Sequence, residues 1–280
     1  MIRRTAVLAV TGSALALSLA ACGGGGDGGK KAQGSEHTSA NAALAAEQAV
    51  NTVSQKASEI KTFQAEVSSH TTMSGQQTSM TGRISYRLKP GLAMKMSIPS
   101  MSVNGRKTGG FQEVLLGDNL YMKTAALSNQ NAGKPWVKMS LSKLGAQSGI
   151  DIKSLMNQSQ QADPSANVRM LTASKDVRKV GAETVDGTQT THYQGTYSVQ
   201  QALAKLGSDQ REKMQQLVAK TGLDKMEFDL WVDDQQLPRK MAVKSPAGSQ
   251  VQTNTTTTYS GFNKPVSIAA PPASQTRSAG

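Results

Sequence analysis

The chain has 280 residues and carries 31 lysines and arginines against 19 aspartates and glutamates, a formal net charge of +12 at pH 7. One cysteine excludes an internal disulfide, so the fold must be held by its core. The length suits one domain with tails. The positive balance favours anionic partners such as lipid headgroups or a membrane surface, while no basic block interleaved with aromatics marks a nucleic-acid surface. Aromatic residues are few, with 2 Trp, 4 Phe and 5 Tyr, whereas methionines number 13. A core rich in Met, Leu and Val is soft and adaptable.

Met1-Ile2-Arg3-Arg4 is a short basic start. Thr5 to Ala20 is apolar and small, broken by Gly12 and a few hydroxyls, and is shorter than the roughly 20 residues of a spanning helix. Residues 1–21 therefore read as a secretory signal peptide ending in a small-residue cleavage site. Leu19-Ala20-Ala21-Cys22 resembles the bacterial lipobox, whose cysteine receives a diacylglycerol and becomes the mature N-terminus. The expectation is a protein anchored through Cys22 to the extracytoplasmic face of the cell membrane. Gly23 to Gly34 cannot bury apolar surface, and residues 22–40 read as a lipidated cysteine and flexible tether.

Asn41 to Lys61 reads as the first helix, with Leu44, Val50, Val53, Ala57 and Ile60 on one narrow stripe. Strands follow. Phe63, Ala65 and Val67 alternate with polar residues. Met80 to Lys89 and Leu92 to Ile98 alternate around the turn Pro90-Gly91, giving a hairpin with one apolar face. Phe111 to Leu116 and Leu120 to Lys123 flank Gly117-Asp118-Asn119, and Trp136 to Met139 is a short strand. Leu141 to Ser174 reads as two or three weakly apolar short helices with starts at Asp151 and Asp163-Pro164, suited to a mobile cover. Val177 to Val185 and Thr190 to Tyr197 surround the turn Asp186-Gly187. Ser198 to Lys220 is helical. Met226 to Val232 and Met241 to Lys244 flank a turn at Asp234-Gln235-Gln236. Gln250 to Tyr259 is polar on both faces and reads as a sheet edge. Residues 41–272 thus form one domain, and 273–280 read as a frayed, disordered tail.

The pattern predicts an α+β fold: about ten antiparallel strands forming a curved half-barrel with one apolar face, wrapped over several helices.

Val185-Asp186-Gly187-Thr188 through His192-Tyr193 and Gly195, Leu230-Trp231-Val232-Asp233 with Leu237-Pro238-Arg239, and Tyr259-Ser260-Gly261-Phe262 with Pro265-Val266, Ile268 and Pro271 carry a resemblance. In that order, behind a lipobox, they resemble the actinobacterial lipid-carrier lipoproteins of the LppX/LprG type, similar in fold to the LolA and LolB carriers. The resemblance implies a half-barrel over helices with an apolar cavity for acyl chains, and no catalytic residues. It makes a lipid or lipoglycan the expected ligand, with a lipid exporter or another envelope protein as a further partner.

The alternation supplies the candidate acyl-contact residues: Ile84, Tyr86, Leu88, Met94, Met96, Leu115, Met122, Phe228, Leu230, Met241 and Val243. The other reading of the same residues is a filled core in an interaction or sensory lipoprotein. Arg83, Arg87, Lys89 and Lys95 are candidates for a basic rim, or for the outward-facing side of their strands. His37, His70 and His192 make no close metal-ligand pair, Asp233-Asp234 reads as a turn pair, and no Gly-x-Ser-x-Gly elbow is present. The expectation is a monomeric non-enzyme without cofactor or metal, and without a nucleic-acid partner.

Overall fold

The computed structural model describes residues 34–130, 133–142, 163–205, 211, 215, 218 and 222–279. The expected signal peptide, Cys22, the side chain of His37 and the expected helix start at Asp151 lie outside the described residues.

Two antiparallel meanders build one sheet. β1 (Thr62–Met73), β2 (Gln76–Arg87), β3 (Ala93–Val103), β4 (Arg106–Leu116), β5 (Asn119–Thr124) and β6 (Trp136–Ser140) form the first. β7 (Arg178–Val185), β8 (Thr188–Ser198), β9 (Lys225–Val232), β10 (Pro238–Lys244) and β11 (Val251–Ser260) form the second. A long β1–β11 ladder, from Gln64 opposite Ser260 to Met73 opposite Val251, joins them. With β12 (Thr276–Ser278) the order is β12-β6-β5-β4-β3-β2-β1-β11-β10-β9-β8-β7. This is the α+β, curved and mostly antiparallel architecture that the alternation predicts, with twelve strands in place of about ten.

Two expectations about edges are corrected. The threonine-rich stretch 250–259 is a central strand, β11, between β1 and β10. Threonine suits a pleated, half-buried surface, and its hydroxyls pair across the seam: Ser69 with Thr255 at 2.9 Å and Thr71 with Thr253 at 3.2 Å. Nor is 273–280 a frayed tail throughout. A 3-10 turn at Ala273–Gln275 leads into β12, which lies parallel to β6 with Thr276 opposite Trp136. The open edge of β6 offers unpaired backbone groups, and this segment satisfies them.

A single apolar face is also too simple. Ala93, Val114, Tyr121 and Trp136 point to the convex side and pack beneath Ile268 and Val266, forming a second small core. The strands also run longer than their apolar stretches. Asn104 and Gly105, with φ of +51° and +77°, close a tight hairpin between polar ends of β3 and β4, a turn that tolerates only such residues.

α1 (Gly34–Ala57) starts within the stretch expected as tether. Once the glycines end, Ser, Glu and Ala carry the helix. Ala46, Val50, Val53 and Ala57, with Ile60 just beyond, form its buried stripe, while Leu44 is 57% exposed and stands off it. α2 (Ala125–Gln130) bridges β5 and β6. α3 (Pro164–Leu171) starts as predicted: Asp163 Oδ1 accepts from the Ser165 N–H at 2.8 Å, with Pro164 in the first turn. Val168 and Leu171 are fully buried, so this described part of the expected mobile cover is core. α4 (Val199–Leu203) follows β8.

Candidate functional site

Strand register sorts the concave face into rows. Phe63, Tyr86, Met94, Leu115, Leu120 and Met139 stand opposite one another in turn across β1 to β6. This row is packed against α1: Phe63 and Tyr86 are wholly buried and stack at 5.3 Å between ring centroids, and Val50, Val53 and Ala57 share the same core. The next row reads Ala65, Ile84, Met96, Glu113, Met122 and Val137. Its middle members are only half-buried. On the other meander, Met241 faces Leu230 and Val243 faces Phe228.

A cavity of about 340 Å3 opens on this same face, at the far ends of β1 and β11. Met73 and Val251 form one wall, Tyr197 and Met226 another, and α4 closes it with Val199 and Leu203. The lining is almost wholly apolar. Burial pushes the Tyr197 hydroxyl up to about 12. The volume is at the lower end of the roughly 300–1,000 Å3 of small-molecule sites.

None of the eleven alternation-derived candidates lines this cavity. Tyr86, Met94, Leu115, Phe228, Leu230 and Met241 are buried in the main core. Ile84, Leu88, Met122 and Val243 are partly buried against it, and Met96 is half-buried. The cavity residues sit further along the same strands, among Thr and Ser, where hydropathy gives a weak signal. The alternation of Met226 with Phe228 and the helical spacing of Val199 with Leu203 were the available cues.

Arg83, Arg87 and Lys95 alternate to the convex side. Arg83 Nε lies 3.8 Å from the Glu66 carboxylate there, both well exposed, and Lys89 is exposed in the turn. These cations therefore do not rim the concave cavity. The convex side also holds a polar cluster on β7, β8 and β9. His192 Nδ1 lies 2.8 Å from Glu183 Oε1, and its Nε2 lies 2.8 Å from Asp229 Oδ1. Trp231 donates its indole N–H to Glu183 Oε2 at 2.7 Å, and Lys240 sits 4.4 Å over the indole ring. Among the described residues no group of three or more His, Cys, Asp or Glu side chains is arranged to hold a metal ion. Asp233 shapes the β9–β10 turn, as expected: Oδ1 accepts from the N–H of Gln235 and of Leu237, and Oδ2 takes the Arg239 Nε–H at 2.6 Å.

The chain aligns with the crystal structure of LprF from Mycobacterium bovis at a TM-score of 0.52 and 13% identity, over 81% of this chain and 97% of that one. At that identity the likeness is one of fold: the chain has the fold of LprF. In sequence it is 33% identical over 178 residues to an uncharacterized 31.2 kDa protein from the rplA–rplJ intergenic region of Streptomyces griseus, covering 60% of this chain and 56% of that protein. It is 28% identical over 150 residues to a Streptomyces coelicolor protein named as a lipoprotein, covering 51% of this chain and 42% of that protein. The chain thus spans about half the length of the curated relatives it matches. No protein-family model matches it. Among the described residues no helix is long and apolar enough to cross a membrane.

Proposed function

We propose that this protein is a non-catalytic envelope lipoprotein that takes the acyl chains of a lipid or lipoglycan into the concave face of its sheet. It holds them there to carry or present them at the membrane. The observation that carries this reading is the apolar cavity between α4 and the ends of β1 and β11. An empty apolar volume costs roughly 24 cal/mol per Å3, and a buried methylene returns roughly 0.8 kcal/mol. Methionines at 73, 170 and 226 give the lining the adaptability that chains of varied length require. The anchor in this reading is a diacylglycerol on Cys22, supported by the lipobox and by a relative named as a lipoprotein.

The test is native mass spectrometry of the full chain, purified without detergent from an actinobacterial host, beside mass analysis of its organic extract. A stoichiometric adduct that dissociates as a diacyl or multi-acyl lipid supports the reading and names the cargo class. A clean apo mass, with no uptake of fluorescent acyl probes, overturns it and redirects the search to protein partners. Metabolic acyl labelling lost in Cys22→Ser tests the anchor separately.

A further inference from the structure

One side chain on the concave face breaks its chemistry. Glu113 stands in the half-buried row, directly opposite Met96 on β3 and Met122 on β5. Along its own strand, Phe111 and Leu115 point to the same side. The lysines of the flanking strands, Lys95 and Lys123, pair in register with Val114 and Gln112 and so alternate to the convex side. Among the described residues Glu113 makes no hydrogen bond or ion pair, although Lys or Arg stands beside Glu59 and Glu66 elsewhere. Burial pushes its carboxyl above the usual range. A half-buried carboxylate without a partner loses part of its hydration with nothing to offset it, and carboxyls shifted in this way cluster at functional sites.

We propose that Glu113 is a specificity-determining residue for the lipid ligand, pairing with a protonated amine in the ligand's polar part on the same concave face of the sheet as the apolar cavity. The inference rests on the lipid-binding reading above. A cation is the complement that the site lacks. Charge-assisted hydrogen bonds are about twice as strong as neutral ones. The net charge of +12 repels cationic amphiphiles in general, so a preference for an amine requires a local carboxylate to overcome that bias.

The test compares octadecylamine with octadecanol, two amphiphiles that share one chain and differ in the head atom. Binding to the full chain is read by displacement of a fluorescent acyl probe, for wild type, Glu113→Gln and Glu113→Met. The expected result is a preference of about tenfold for the amine in wild type, abolished in both variants while octadecanol binding is retained. Both variants remove a charge from an apolar face, and circular dichroism checks that they fold. Equal affinity for the two amphiphiles in wild type, or an amine preference that survives in either variant, overturns the role of Glu113 and leaves lipid binding standing. Failure of both amphiphiles to bind any of the three proteins overturns the lipid-binding reading and this inference with it.

Discussion

The imidazole of His192 lies flat on the indole of Trp231, with ring centroids 4.4 Å apart and planes 11° from parallel, the two residues standing directly opposite on β8 and β9. Each ring nitrogen of His192 faces a carboxylate at 2.8 Å, Glu183 on β7 and Asp229 on β9, so one side chain ties three strands of the second meander. Replacing His192 with Ala leaves two carboxylates without their shared partner. The expected loss is about 1–3 kcal/mol, read as a lower urea midpoint with an unchanged m-value. A midpoint equal to wild type would show the cluster to be energetically idle.

The β9–β10 turn depends on Asp233, whose side chain is wholly buried. Asp233→Ala strips acceptors from two backbone N–H groups and leaves Arg239 unpaired. The expected cost is about 3 kcal/mol. Asp233→Asn, which retains an oxygen for the turn, is expected to cost clearly less in the same denaturation series.

Two glycines separate backbone from side-chain crowding. A Cβ at Gly110 would sit 2.0 Å from the Ile98 carbonyl oxygen and 2.3 Å from that of Pro99, both backbone atoms. At Gly82 the nearest atom would be Cγ1 of the Ile98 side chain at 2.8 Å, with the Ser97 carbonyl oxygen farther off at 3.3 Å. Gly110→Ala is expected to destabilise by about 3 kcal/mol or more, and Gly82→Ala by about 1 kcal/mol, since a side chain can turn aside and a strand backbone cannot. Thermal unfolding of the two variants orders them.

Stability is expected to fall at both ends of the pH range. Hydrogen bonds from the hydroxyls of Ser140 and Ser142 and the Ser142 N–H hold Asp118 below its ordinary 3.8. Burial pushes Asp176 up, but bonds from Thr196 and Ser174 outweigh it and leave it lowered. Donation from Trp231 and then His192 holds Glu183 below 4.5. For a lowered carboxyl, the stabilisation is complete above the ordinary value and is lost as pH falls through the folded-state value. The urea midpoint should therefore drop as pH falls below these ordinary values. At the other end, burial raises Tyr197 and Tyr259 from 10.0 to about 12. A raised tyrosine stabilises fully below its ordinary value, and the advantage is lost as pH rises from 10 to 12. A flat midpoint between pH 3 and 5 would contradict the carboxylate assignments.

The cavity can be filled from inside. Ala202 lines it and is buried on the inward side of α4. Ala202→Phe is expected to cut uptake of a fluorescent acyl probe about tenfold, because the ring occupies the space the chain would take. Met94→Leu, in the packed row under α1 and outside the cavity, is expected to leave uptake unchanged. Equal effects of the two would move the binding surface to the half-buried row around Met96.

Local chemistry was legible from one end of the described chain to the other. Period-two alternation identified most strands, Asp186-Gly187 and the Asp233 turn marked their hairpins, and Asp163-Pro164 marked the start of α3, because each depends only on neighbours within a few residues. The polar strand ends around Asn104-Gly105 escaped, since the apolar alternation stops before the hydrogen bonds do. The threonine run of β11 was misread as an edge for the same reason.

Alternation determined which side of each strand is apolar. It could not determine which strands stand together. The tertiary structure decided that residues 62–73 meet 251–260 across the seam, which sets the rows of the concave face. That pairing put the packed core under Tyr86 and Met94, moved the open apolar volume to Met73, Tyr197 and Met226, and left Glu113 alone between two methionines. Register between segments nearly two hundred residues apart is fixed by the summed packing of the whole sheet, and no local stretch of sequence carries that sum.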